Sequence, residues 1–368
     1  MKKLCVCWDL EGPISILDFA AELGKKLSYK SQLNLRKYNM GDFFKMISNY
    51  DDYIIDSQGI KEKLNIPEYQ PGDTLRIMAP LYIASYTDKE LINLARNNLG
   101  LLPGCKELMK ILHKKWDIYV ISTSYCHFAH TVTAALNIQK DHVYCTNFNI
   151  EKLIENFNDI KNSIDILIPN IFQKYIDHNK DLNFVIDDLN NFFWKDKDSD
   201  YIKLMNKVKV RGGKRKEIAV EEISKRTGVN ISEMIALGDS ITDINMLQRL
   251  KDENGIAISF NGNKFSLKKA NVAVTSPNSL GTLPIFQYRR NLYDFLEKWE
   301  LKYEHFKHDP KKIPNELISN ESKYYFIKYD FVPDLRDLTN KSKDQIEKII
   351  SNQERMRKNV RGWGGTLG

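Results

Sequence analysis

The chain has 368 residues, 42% of them hydrophobic and 28% charged, with a net charge of +7. Such a chain has room for two or three domains and the composition of an ordinary globular protein. No apolar run is long enough to span a membrane, and the five cysteines include no CxxC pair, so neither a disulfide framework nor a zinc site is indicated.

The first strand starts with no signal-peptide segment before it, so a cytoplasmic protein is expected. Leu4 to Trp8 reads as a short buried strand, ending abruptly in Asp9, Glu11 and a Gly12-Pro13 break. Two carboxylates at the C-terminal tip of a buried strand are costly for folding alone, and open α/β sheets bind their ligands at that edge. Residues 14–27 then read as an amphipathic helix, with Ile16, Ala20, Leu23 and Leu27 on one face. Further helical patterns continue to about residue 99, which makes 14–99 a helical insertion.

Leu101-Leu102-Pro103-Gly104 breaks the pattern, and a helix from about Cys105 leads to a second buried strand, Ile118–Ile121, closing in Ser122-Thr123-Ser124. A helix from about Phe128 and a strand near His142–Cys145 follow. Residues 147–210, rich in Asn, Asp and Lys, form a second insertion, with one β-like patch at Asn183–Ile186. A helix from about Arg215 stops at Gly228. The third buried strand, Met234–Leu237, closes in Gly238-Asp239-Ser240-Ile241-Thr242-Asp243, and Gly255–Ile258 and Asn271–Val274 complete the sheet. Strands alternating with helices imply an α/β fold, a Rossmann-like doubly wound parallel sheet with an inserted helical cap. The core is expected at 1–13 and 100–280, the cap at 14–99, and a charged, mostly helical extension at 281–368.

The strand ends carry the chemistry. Asp9 and Glu11 come from the first, Ser122 and Thr123 from the second, Asp239 and Asp243 from the third. Gathered at one edge, these carboxylates repel one another unless a divalent cation sits among them, and hard oxygen ligands suit Mg²⁺. Asp9, Glu11, Asp239 and Asp243 are the candidate ligands. Ser122, Thr123 and Lys214 would hold phosphoryl oxygens; Lys214 is preferred to the adjacent Arg215 and Lys216. The expected site is one of phosphoryl transfer.

The ordered set resembles the four motifs of the haloacid dehalogenase superfamily. Asp9-Leu10-Glu11-Gly12 resembles the first, Val120-Ile121-Ser122 the second, Lys214 the third and Gly238-Asp239-Ser240-x-x-Asp243 the fourth. The resemblance implies Asp9 as a nucleophile forming an aspartyl-phosphate and Glu11 as the acid-base. It also implies Lys214 as the neutralising cation, and Mg²⁺ on Asp239 with Asp243 as ligand or orienting group. Most phosphatases of the superfamily carry Asp where this chain has Glu11. The Asp-x-Glu-Gly-Pro form is similar to that of phosphoserine/homoserine phosphotransferases, in the phosphoserine phosphatase branch, and of archaeal proteins catalogued as energy-converting hydrogenase A subunit R.

The function implied is a Mg²⁺-dependent phosphatase for a small phosphorylated metabolite. The alternatives are phosphoryl transfer to an alcohol and a non-catalytic subunit or binding module. Nucleic acid is not the expected partner. Lys203–Lys216 holds seven basic residues and no acidic one, but no nucleic-acid-binding signature accompanies it. A protein partner could use the C-terminal extension. His127 and His130, three apart on one helix, read as surface or cap-contact residues, and Cys5 and Cys7 as small buried hydrophobes. Arg36 and Arg76 are outlying candidates for holding a substrate carboxylate.

Overall fold

Alternation along the first strand sets the layers. In a computed structural model, which describes residues 3–30, 33, 35–154, 160–195 and 197–366, β1 (Leu4–Trp8) sends Val6 and Trp8 into one apolar cluster. Cys5 and Cys7 point into a second cluster on the opposite face. Burial on both faces explains why this strand reads as an unbroken apolar run. The sheet continues through β2 (Trp116–Tyr125), β3 (Val143–Thr146), β4 (Ile235–Gly238), β5 (Ile256–Phe260), β6 (Val272–Thr275) and β7 (Asp334–Asp337).

The strand order is β3-β2-β1-β4-β5-β6-β7. All neighbours pair in parallel except β6 and β7. The chain winds outward from β1 to β3, then returns to lay β4 on the other side of β1. The crevice of this α/β fold therefore opens at the C-terminal ends of β1 and β4.

Between β1 and β2 lie α1 (Phe19–Lys26), α2 (Met40–Asp56), α3 (Thr74–Ile83), α4 (Asp88–Asn97) and α5 (Cys105–Leu112). The first starts later than the periodicity predicts, because Asp18 caps it by accepting the Ala21 amide, and the chain from Pro13 to Leu17 is non-helical. Helix α6 (Cys126–Ala135) joins β2 to β3. The patch at 183–186 is helical, not extended: a 3₁₀ turn covers Leu182–Phe184 and an α-helical segment begins at Ile186.

The two insertions pack on one another. The Tyr50 hydroxyl donates to Asn190 Oδ1 at 2.6 Å and accepts from Trp194 Nε1 at 2.8 Å. On α7 (Asp200–Lys207), the Tyr201 hydroxyl donates to the Ile77 carbonyl at 2.8 Å. The core resumes with α8 (Lys214–Thr227), α9 (Ile244–Asp252) and α10 (Lys264–Lys269).

Beyond residue 280 the chain forms α11 (Leu292–Phe306), α12 (Asn320–Lys328), strand β7 and α13 (Lys343–Arg361). This segment supplies an edge strand to the sheet, a role its charged composition does not announce. No helix among the described residues is long and apolar enough to cross a membrane.

Candidate active site

Asp9 follows β1 directly, and its amide donates to the Leu237 carbonyl of β4 at 2.8 Å, which ties it to the crevice. Its Oδ1 accepts the Leu10 amide at 2.8 Å and Lys216 Nζ at 2.7 Å. The same ammonium donates to Asp243 Oδ1 at 2.6 Å. Asp243 Oδ2 accepts the amides of Asp239 at 3.0 Å and Ser240 at 3.1 Å, so the turn after β4 holds that carboxylate in place. Asp9, Asp239 and Asp243 each present an oxygen within 4.8 Å of the others.

Lys214 does not take the position expected of it. It is the first residue of α8 and exposed, and its backbone amide donates to Gln70 Oε1 at 3.0 Å. Lys216 lies two residues on, about 200° around the helix, and its side chain is completely buried. Arg215 points to a third place, pairing with buried Asp73 at 2.7 Å and donating to the Glu68 carbonyl at 2.9 Å. The end of the basic run thus splits between the site and the joint with the cap.

Glu11 stands apart from the cluster of three carboxylates, with Oε1 accepting the Phe19 amide at the start of α1 at 3.0 Å. Burial, then the charge of Asp18, pushes its carboxyl up to about 8. Burial and the charge of Asp243 likewise push Asp9 up to about 7, against the pull of Lys216. Desolvation works against the Lys216 ammonium, but Asp243 and Asp9 outweigh it and raise its pKa.

The cavity over these groups has a volume of about 80 Å³. Thr123 lines it, whereas Ser122 is fully buried and its Oγ accepts the Ser124 amide at 3.0 Å. Phe44, Ser48 and Leu75 from the cap line the cavity too. Gly12 is required where it stands. Its φ is +118°, and a Cβ there would collide with the Asp239 carboxylate.

Two residues of the site belong to no sequence motif. Arg357 and Arg361 of α13 both pair with the Asp239 carboxylate, from 118 and 122 residues away. Their i,i+4 spacing was visible, but charged helices commonly show such spacing on solvated faces. The other candidates lie elsewhere: Arg36 is exposed, and Arg76 lies over the Tyr69 ring of the cap and the Trp194 ring of the second insertion. His127 pairs with Asp88 of α4 at 2.6 Å.

A model of haloacid dehalogenase-like hydrolases matches residues 94–283, just over half of the chain. The chain belongs to this family. It is therefore an enzyme, a hydrolase of the haloacid dehalogenase-like type. Among curated proteins none matches it.

A solved gene product of Archaeoglobus fulgidus is 20% identical with a TM-score of 0.68, over 100% of this chain and 99% of the other. That likeness is one of fold, and it includes the C-terminal extension. A phospho-aspartyl intermediate analogue of phosphoserine phosphatase is 13% identical over 78% of this chain and 99% of that one, with a TM-score of 0.46. A β-phosphoglucomutase of Clostridium difficile is 19% identical over 79% and 97%, with a TM-score of 0.33.

Proposed function

We propose that this haloacid dehalogenase-like hydrolase is a Mg²⁺-dependent phosphatase that acts on a small phosphorylated metabolite through an aspartyl-phosphate at Asp9. The observation that carries this reading is the buried triangle of Asp9, Asp239 and Asp243, with Lys216 bridging two of them. The donor set is all carboxylate oxygen and fits Mg²⁺. Asp9 and Asp239 would hold the ion, while Asp243, already engaged by Lys216 and two amides, orients the turn. When bound, the ion would neutralise charge on the phosphoryl oxygens.

The chain's own groups account for the remaining steps. Asp9 attacks phosphorus as the bond from phosphorus to the leaving oxygen breaks. Glu11, whose pKa burial and Asp18 push up to about 8, gives its proton to the leaving alcohol. It then takes a proton from the water that attacks the aspartyl-phosphate, releasing inorganic phosphate and restoring Asp9. Lys216 fixes the attacking carboxylate and offsets its charge, and Thr123 on the cavity wall reaches the phosphoryl group. The cap covers the small cavity and limits access of other water.

The test is phosphate release from a panel of phosphoesters with Mg²⁺, repeated with chelator and with Asp9→Asn. The wild type should turn over at least one ester, and chelation or the substitution should bring it to background. Turnover that survives Asp9→Asn would remove the nucleophile assignment. No turnover with any ester or acceptor alcohol, in protein with Mg²⁺ bound, would point to a binding module instead.

A further inference from the structure

The C-terminal helix α13 reaches the catalytic centre with a defined register. Ile349 and Ile350 anchor it against Leu267, Ala270, Ala273 and Leu338. Gln353, Arg357 and Arg361 follow at four-residue intervals and share the face toward the sheet's C-terminal edge. Fully buried Gln353 accepts from the Gly262 amide at 2.7 Å and donates to the Ser259 carbonyl at 2.9 Å, which pins the helix along its axis.

Arg357, 3% exposed, donates to the Asp239 main-chain carbonyl at 3.0 Å and to Asp239 Oδ2. Arg361 donates to the same Oδ2 at 2.7 Å. Two guanidinium groups therefore converge on one carboxylate oxygen in the cluster that would take the metal.

We propose that Arg357 and Arg361 are positioning residues that set the metal affinity of the site, because both engage the Asp239 oxygen that a divalent cation would need, so that the cation gains it only in competition with Arg361. The inference rests on the metal site of the proposed phosphatase. Its physical basis is charge balance. Lys216 is shared by Asp9 and Asp243, while Arg357 and Arg361 share Asp239, and the buried carboxyls of Asp18 and Glu11 also face Arg361. At Asp239 the two monovalent guanidinium groups already deliver the charge that one divalent ion would bring, and an ion on that carboxylate would meet their repulsion at close range.

Arg361 is the group that yields. It is the last residue of α13, and Gly362 follows at φ +57°, with Gly364 and Gly365 beyond. Arg357 has a second hold, on the Asp239 carbonyl at 3.0 Å, shorter than the contact of Arg361 Nε with the Ile16 carbonyl at 3.4 Å, and stays. Binding of the ion thus loosens the end of the C-terminal helix, and the rest of the helix keeps its place.

The experiment is calorimetric titration of the full chain with Mn²⁺, comparing wild type with Arg361→Gln, Arg361→Lys, Arg357→Gln and Asp239→Asn. Arg361→Gln should bind Mn²⁺ at least about tenfold more tightly than wild type, and Arg361→Lys should return toward the wild-type value. Tryptic cleavage after Arg361 in the wild type should quicken with saturating Mg²⁺. Arg357→Gln is the variant at risk of misfolding, so the inference is judged on Arg361. If Asp239→Asn loses the ion while Arg361→Gln binds it as the wild type does or more weakly, competition is refuted and the metal site stands. If Asp239→Asn binds as well as wild type, or no variant binds at all, the metal site and the inference fall together.

Discussion

Lys214, Arg215 and Lys216 are consecutive on the first turn of α8, yet they meet solvent, the cap and the catalytic centre respectively. Composition cannot separate them; only the phase of the helix against the sheet does. Lys216 is completely buried between Asp9 and Asp243, so Lys216→Met leaves two carboxylates without their shared cation. Breaking a buried pair on one side costs about 3–5 kcal/mol, moderated here because Asp9, already pushed up to about 7, can take a proton. Loss of one preorganised charge at the reacting group costs about 10²–10³ in rate. Lys214→Met should change stability by less than about 0.5 kcal/mol, as expected at an exposed position. Phosphate-release kinetics and urea unfolding of both variants decide the assignment, and the reverse pattern would restore Lys214.

Between elements, the cap is clasped to the core by Asp88 at the start of α4, which faces His127 on α6 and accepts the Ile150 and Glu151 amides at 3.0 and 3.1 Å. Burial opposes the charged Asp88, but those amides and His127 outweigh it and lower its pKa. For His127, burial is outweighed by Cys126 and Asp88, and its pKa is raised. The signs then bracket a window. The Asp88 contribution is present above the unfolded carboxylate pKa of about 3.9 and is lost as pH falls through its lowered folded value. That of His127 is complete below about 6.5 and is lost as pH rises through its raised folded value. Wild type should therefore exceed His127→Gln in unfolding free energy, read from urea unfolding at each pH, most near pH 5.5, by less than about 1 kcal/mol after screening, and the gap should shrink as pH rises through the raised folded value. A pH-independent difference would show that only packing is at stake.

The same scale explains what could be read in the chain. The parallel strands were legible because two-sided burial leaves continuous apolar runs that end in functional residues, as at Trp8–Asp9 and Leu237–Asp239. The placement of the lysine and of Arg357 and Arg361 was not, because it depends on helix phase and on contacts across more than a hundred residues. Strand β7 escaped for another reason: Asp-Leu-Arg-Asp is a polar edge strand, buried mainly at Leu335.

At the scale of the whole molecule, length suggests domains that unfold in steps, but the packing argues for one transition. A single apolar cluster runs from Val6 and Leu237 in the sheet through Phe43 and Tyr201 in the two insertions to Trp299, Phe326 and Leu335 in the extension. Phe286 stacks on Trp8 at 6.0 Å and meets Trp116 edge-on at 5.1 Å, which joins the extension to the faces of β1 and β2. Among the described residues no surface divides cap, core and α11 and α12 of the extension without cutting that cluster, while α13 anchors mainly in a smaller one of its own. Trp194 reports on the second insertion, which packs on the cap, and Trp299 on the extension, both buried. In urea, the fluorescence changes that Trp194→Phe and Trp299→Phe each remove from the wild-type signal should have midpoints within about 0.2 M of each other and of the loss of helical circular dichroism, the test for a two-state transition. If the Trp299 signal moved first, the extension would be a separable unit, and the hold of α13 on Asp239 would break without loss of the fold.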